Sequence, residues 1–131
     1  MADNISESMK IGLETAKKMV GEAVSQSMEA SIGSTEFGAY RGEMAVEFVF
    51  GKLWSRPGLD MRARSLVTLG ILIALGQTGE LKIHLMAAIR NGCTVKEIEE
   101  VLYHSAAYAG FPASNSATHV ATEVFKQAGL I

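Results

Sequence analysis

Two pairs of side chains in this sequence, Glu80 with His84 and His104 with Tyr108, place groups able to move protons one helical turn apart. Residues four apart on a helix share a face. A carboxylate beside an imidazole can hold the ring's orientation, raise its basicity, or join it in moving a proton. On spacing alone the Glu80–His84 pair reads first as an ordinary surface pair, favourable because Glu80 lies in the first turn of its helix. Leu81, Leu85 and Ala88 flank His84, however, and set the imidazole at the edge of an apolar stripe. Antiparallel neighbours joined by a short loop would bring His104 and Tyr108 against that face. The plainer reading makes them two amphipathic rings with their polar tips in water. His119 and Glu123, again four apart, fall away from Val120, Val124 and Phe125 and read as solvated.

Arg56, Arg62 and Arg64 crowd one short stretch, which usually marks a solvated or interface patch. Arg64 immediately precedes the most apolar segment of the chain, so its guanidinium is a candidate fork for a carboxylate near a cavity. Trp54, Phe48 and Phe111 are core or subunit-interface candidates before they are pocket walls. A catalytic metal is not expected: Glu-x-x-x-His is neither the Glu-x-x-His of di-iron bundles nor His-Glu-x-x-His, and no second copy occurs. Cys93 is the single cysteine, which excludes an internal disulfide and a Cys-x-x-Cys redox pair.

The helices that must position these groups follow from the pattern. The chain has 131 residues, is 48% apolar and 20% charged, and carries a formal net charge of −2. That is a single-domain length spanning residues 1–131, with the profile of a globular protein. No basic stripe for nucleic acid is present, nor a polybasic segment for a membrane surface. The first residues, Met1 to Glu7, lack the apolar core of a signal peptide. The longest uncharged run, Ser65 to Gly79, is too short and too polar at its exit to span a bilayer. A cytoplasmic protein is expected.

Ile5, Met9, Leu13, Ala16, Val20 and Val24 form one helical stripe, predicting a helix from Ile5 to about Val24. Ser34 or Thr35 caps a second, running through Phe37, Tyr40, Met44, Phe48 and Leu53. Trp54 to Asp60 is a loop, with Asp60 the N-cap of the next helix. That helix, roughly Met61 to Gly76, is long for a strand and apolar enough to be covered on most sides. Thr78 caps a helix over Gly79–Asn91, and Gly92 supplies a left-handed C-terminal cap. Thr94-Val95-Lys96-Glu97 is a capping box opening a helix through Ser105. Gly110-Phe111-Pro112 breaks it, and a last helix runs from about Ala113 to Ala128.

Several of these segments together resemble the carboxymuconolactone decarboxylase family. They are Trp54-Ser55-Arg56-Pro57-Gly58-Leu59-Asp60, Arg62-Ala63-Arg64-Ser65-Leu66-Val67-Thr68, Glu80-Leu81-Lys82-Ile83-His84-Leu85, Asn91-Gly92-Cys93-Thr94, Glu97-Ile98-x-Glu100-Val101-Leu102 and Tyr108-Ala109-Gly110-Phe111-Pro112-Ala113. The likeness runs in consistent order from about Met9 to Phe125. It implies an all-α fold, a compact bundle of about six to seven helices of alkylhydroperoxidase-like type. It also implies a trimer or hexamer with active sites near subunit boundaries. In alkylhydroperoxidases the same helix pair carries a glutamate, two cysteines and a histidine, at positions that fall here on Ser65, Gln77, Glu80 and His84. Only the histidine remains, and without thiolates no disulfide exchange can run.

The family's reaction removes carbon dioxide from a small carboxy-lactone in aromatic catabolism without a cofactor. The resemblance implies Glu80 and His84 as the catalytic acid–base pair, with Arg64, Tyr108, His104 and Trp54 as substrate contacts. Met86 stands where relatives commonly carry a basic residue, and His104 where glutamine is frequent. A diverged isomerase or lactone-rearranging enzyme, and a non-catalytic oligomeric binding protein, are the competing expectations.

Overall fold

The computed structural model describes residues 5–131, which are helical with no strand; residues 1–4, part of the segment read above as lacking a leader, lie outside it. The chain divides into two compact units at Leu59/Asp60, each with its own core.

The first unit holds α1 (Glu7–Val20), α2 (Glu22–Ser31) and α3 (Tyr40–Met44), the last continuing without a break into a π-helical stretch over Ala45–Leu53. The single helix expected from Ile5 to Val24 is in fact two. Gly21 sits at φ +96°, a conformation that glycine adopts freely, and it ends α1 and starts α2. α2 folds back on α1, where buried Ser25 donates to the Leu13 carbonyl at 2.8 Å, while Val24, the last residue of the apolar stripe, is exposed. Ser34 does not cap the second helix. Its hydroxyl accepts from the Glu36 N–H in a local turn, and the helix begins only at Tyr40.

Met9, Leu13 and Val46 form the small core where α1 crosses the π-helical stretch. The crossing is close because both helices present a glycine there. A Cβ on Gly12 would collide with the Val46 carbonyl, and one on Gly51 with the Ser8 carbonyl. Both obstacles are backbone, which yields little.

The second unit holds α4 (Met61–Ala74), α5 (Thr78–Arg90), α6 (Val95–Tyr108) and α7 (Phe111–Gln127). As the sequence predicts, Asp60 caps α4, its Oδ1 accepting from the Ala63 N–H at 2.7 Å. The Thr94–Glu97 capping box is present on α6. Gly92, at φ +99°, closes α5: its N–H reaches the Ile89 carbonyl and that of Cys93 reaches Ala88, a Schellman motif. Thr78, by contrast, is the first helical residue rather than the cap, and Gln77 precedes it without a side-chain bond. Pro112 sits inside the first turn of α7, where a missing N–H leaves no helical bond unmade.

α7 packs against α4, α5 and α6 around Leu69, Ile73, Leu81, Leu85, Ile98, Leu102, Val120 and Phe125. α4 is not covered on most sides. It buries Ser65, Leu69 and Ile73, while Val67, Ile71 and Leu75 remain 53%, 52% and 65% exposed. Two apolar faces explain why its sequence lacks a clear helical period.

Gly12→Ala should lower the stability of the first unit by roughly 2 kcal/mol or more. Gly70→Ala, mid-helix with nothing within 4 Å of the added carbon, should instead raise stability by up to about 1 kcal/mol. Denaturant midpoints of the two variants against the parent check both.

Candidate active site

Glu80 and His84 share the face of α5 that also carries the buried Leu81, Leu85, Ala87 and Ala88. Glu80, in the first turn, is exposed, and His84, one turn further in, is half-buried. Burial lowers the His84 pKa below its ordinary value near 6.5, and the Glu80 carboxylate offsets part of that by favouring the charged ring. At neutral pH the isolated imidazole is therefore predominantly uncharged. It is a base, or an acid that must first acquire a proton.

The α4–α5 pair is an antiparallel hairpin joined by a short turn at Gly76. Its register is fixed by the Asn91 side-chain amide, which donates to buried Ser65 Oγ at 2.9 Å. His84 lies two turns from Asn91, about 10 Å along the axis. Arg64, adjacent to Ser65, consequently stands at the opposite end of the hairpin from Glu80. Side chains lean toward the N-terminus of their own helix, which carries Arg64 further away on α4 and His84 away on α5. Arg64 therefore starts from the turn of α4 that faces the C-terminal part of α5.

His104 and Tyr108 do come together, their rings stacked with centroids 5.0 Å apart and planes at 26°. They do not meet Glu80 and His84. Both α5 and α6 pack on α4 and α7, and His104 lines a groove of about 770 Å³ between α6 and the Leu66–Val67–Gly70 side of α4. At 3.6 residues per turn those positions lie about 100 to 200° around α4 from Ser65, which faces α5. Tyr108 is almost fully exposed. Trp54 belongs to the first unit, buried at the end of the π-helical stretch. His119 and Glu123 are exposed, as their spacing predicts.

Sequence reasoning missed the residues that hold this unit's register. Ser65 was visible as the one small polar group in the first turns of an apolar helix, but only the fold reveals Asn91 as its partner. Arg62, read as part of a solvated patch, is engaged with Glu97: Nε donates to Oε1 at 3.3 Å and the guanidinium also pairs with Oε2. The same Glu97 Oε1 accepts the Thr94 N–H at 3.0 Å. Cys93 is buried, its thiol donating weakly to the Arg62 carbonyl at 3.5 Å. Burial pushes that thiol's pKa up despite the nearby Arg62 guanidinium, so it is no ready nucleophile. Among the described residues no cluster of His, Cys, Asp and Glu has the composition to hold a metal, and no helix is long and apolar enough to cross a membrane.

The described residues form an all-helical protein whose α5 carries Glu80 and His84 one turn apart. Residues 42–123 match the model of the carboxymuconolactone decarboxylase family, and the chain belongs to that family. It is 42% identical to the 4-carboxymuconolactone decarboxylase of Acinetobacter baylyi, over 97% of this chain and 93% of that protein. It is 38% identical to a nitrosuccinic acid decarboxylase of Metarhizium robertsii, over 77% of this chain and 69% of the relative.

Two outcomes are expected. Glu97→Ala should cost about 1–2 kcal/mol by removing the cap bond and the Arg62 pair together, whereas Glu97→Gln, which keeps the capping geometry, should cost under about 1 kcal/mol; denaturant titration separates them. By NMR, His84 should titrate below 6.5. Because the unfolded chain then binds the proton more readily, stability should fall as pH drops from about 6.5 toward the folded pKa and level off beneath it. His84→Asn should flatten that part of the profile.

Proposed function

We propose that this protein is a carboxy-lyase that decarboxylates a small cyclic carboxy-lactone of the 4-carboxymuconolactone kind, in the breakdown of aromatic compounds. The observation that carries the reading is a half-buried His84 one turn from Glu80 on a helix of this family. The nature of the acid comes from the Acinetobacter relative's name.

The substrate supplies its own electron sink, so no cofactor takes part. When the ring carboxylate leaves as carbon dioxide, its bonding pair passes through the ring double bond into the lactone carbonyl. The resulting dienolate is then protonated on the ring carbon next to that carbonyl. The protein must hold the carboxylates, favour the developing oxyanion and deliver the proton. His84 is assigned as the general acid, with Glu80 orienting it or donating in its place. The negative substrate restores the proton that burial disfavours on His84, since an opposite charge within about 4–6 Å favours the charged ring.

Arg64, His104, Tyr108 and Trp54 are assigned as substrate contacts on family likeness. The His104–Tyr108 stack lies along the α4–α6 groove, so its assignment draws on an assembly, a homo-oligomer formed as a trimer or hexamer. The exposed Val67–Ile71–Leu75 face of α4 supports such an assembly. The chain is taken as one family domain across residues 1–131, acting in the cytoplasm on a small molecule, with no nucleic acid or membrane partner.

Release of carbon dioxide from 4-carboxymuconolactone, followed by enol-lactone formation, tests the reading. Glu80→Gln and His84→Asn should each lower turnover by about two orders of magnitude. Near-parental rates in both would remove the pair from the chemistry. Light scattering at micromolar concentration should find more than one copy per particle, and a clean monomer would refute the assembly.

A further inference from the structure

We propose that the outward face of α3 and the π-helical stretch in one copy seats in the α4–α6 groove of a second copy, a head-to-tail contact that closes into a ring. This rests on the assembly reading above and names the two surfaces that meet.

Tyr40, Met44, Phe48 and Leu53, which the sequence predicts as the apolar side of a helix, are not the side that packs. The π-helical stretch buries Val46, Phe50 and Gly51 instead, and Val46 rests on Met9 and Leu13 of α1. Tyr40, Met44 and Phe48 stay 67%, 49% and 60% exposed, and Phe37 just before them is fully exposed. Steps of four residues to Phe48, and of five to Leu53 where the helix widens, keep the four on one line. Met44 and Phe48 line a hollow of about 430 Å³ with Arg41 and Lys52. The rings of Phe37, Tyr40 and Phe48 alone expose roughly 500 Å². With Met44, Leu53 and the two cations the face approaches the ~800 Å² per partner that a stable interface buries.

Charge selects what covers it. Glu47, which also borders the hollow, is turned to Ser6, whose hydroxyl donates to it at 3.1 Å, and Glu43 accepts the Gly33 N–H at 2.6 Å. Arg41 and Lys52 form no ion pair among the described residues, so two free cations edge the apolar line. The α4–α6 groove is the complement. Its floor is Leu66, Val67, Gly70 and Val101, and Glu100 stands on its wall. Glu97 is held by Arg62, whereas Glu100 forms no ion pair among the described residues. A side chain at Gly70 would meet nothing within 4 Å, which leaves room for an entering ring. From Glu97 to Ala107 the groove runs about 15 Å along α6, and Tyr40 to Phe48 spans about 12 Å.

Each copy carries one of each surface, and filling its groove leaves its own stripe to reach another copy. Such a contact propagates head to tail and ends only when a ring closes. An anionic membrane suits the stripe less well, because Glu36, Glu43 and Glu47 stand along the same segment.

The test uses two full-length variants, each breaking one surface. Phe48→Asp sets a carboxylate opposite Glu100, and Val67→Arg sets a guanidinium opposite Arg41 and Lys52. Both positions are exposed, so circular dichroism should show parental helix content; should either variant not fold, Met44→Asp and Glu100→Lys replace them. By light scattering the parent should be a closed oligomer and each variant alone a monomer, the contact's Kd raised about a hundredfold or more. Mixed, the two should form one-to-one pairs and go no further, since one retains an intact groove and the other an intact stripe. Parental assembly by either folded variant overturns this interface and leaves the assembly reading standing. A monomeric parent overturns both. Monomeric variants that fail to pair on mixing overturn the match between stripe and groove. Phe48-dependent binding of the parent to phosphatidylcholine–phosphatidylserine vesicles would assign the stripe to a membrane and overturn the proposal as well.

Discussion

One carboxylate sets the geometry of the second unit. Glu97 closes the capping box that starts α6, and the same group holds Arg62 in the first turn of α4. The two helices therefore start together and run side by side, with Val101 and His104 lining one groove with Val67 and Gly70 further along. Close by, Cys93 reaches the Arg62 carbonyl and Asn91 reaches Ser65. Three polar contacts at one end thus fix α4 against both α5 and α6, and the apolar side chains beyond them pack in whatever register those contacts impose. The ion pair is half exposed and contributes little energy by itself. Its weight is positional.

Glu80 and His84 lie on α5 nearer the Gly76 turn, the other end of the α4–α5 hairpin from the Asn91–Ser65 bond. Burial is the largest influence on the His84 proton, lowering its pKa, and the Glu80 carboxylate opposes it. An imidazole held neutral by desolvation responds steeply to an arriving anion, because the attraction acts where water screens it least.

Much of the local structure was legible in the sequence because its signals are local. Asp60, the Thr94–Glu97 box, Gly92 and Pro112 each act within a turn of their own position, and each does what its chemistry predicts. Thr78 failed because the preceding Gln77 could take the boundary position with the helix starting one residue earlier. Gly21 hid its break because Val24 happens to continue the three-and-four spacing, although α2 reverses onto α1 and buries Ser25 in its place. The pairing of Glu80 with His84 was readable from four-residue spacing. The placement of His104 on the α4–α6 groove was not, since it depends on which side of α4 each neighbour occupies. Proximity across helices is set by register, and register here hangs on Asn91 and Glu97, whose partners lie 26 and 35 residues away.

The π-helical stretch over Ala45–Leu53 carries a consequence of a different kind. Its bonds span five residues instead of four, as at Trp54, whose N–H reaches the Val49 carbonyl. More residues are therefore spent on each turn than an α-helix needs. The orientation of Trp54 relative to the Gly12–Gly51 crossing is set by how many residues lie between, independently of what they are. Loss of a single residue there, with no side chain of note removed, would let the segment relax to α-helix and swing the indole about 100° around the axis. In this stretch the number of residues is itself a structural parameter, acting on the placement of Trp54 alongside the side chains of the core.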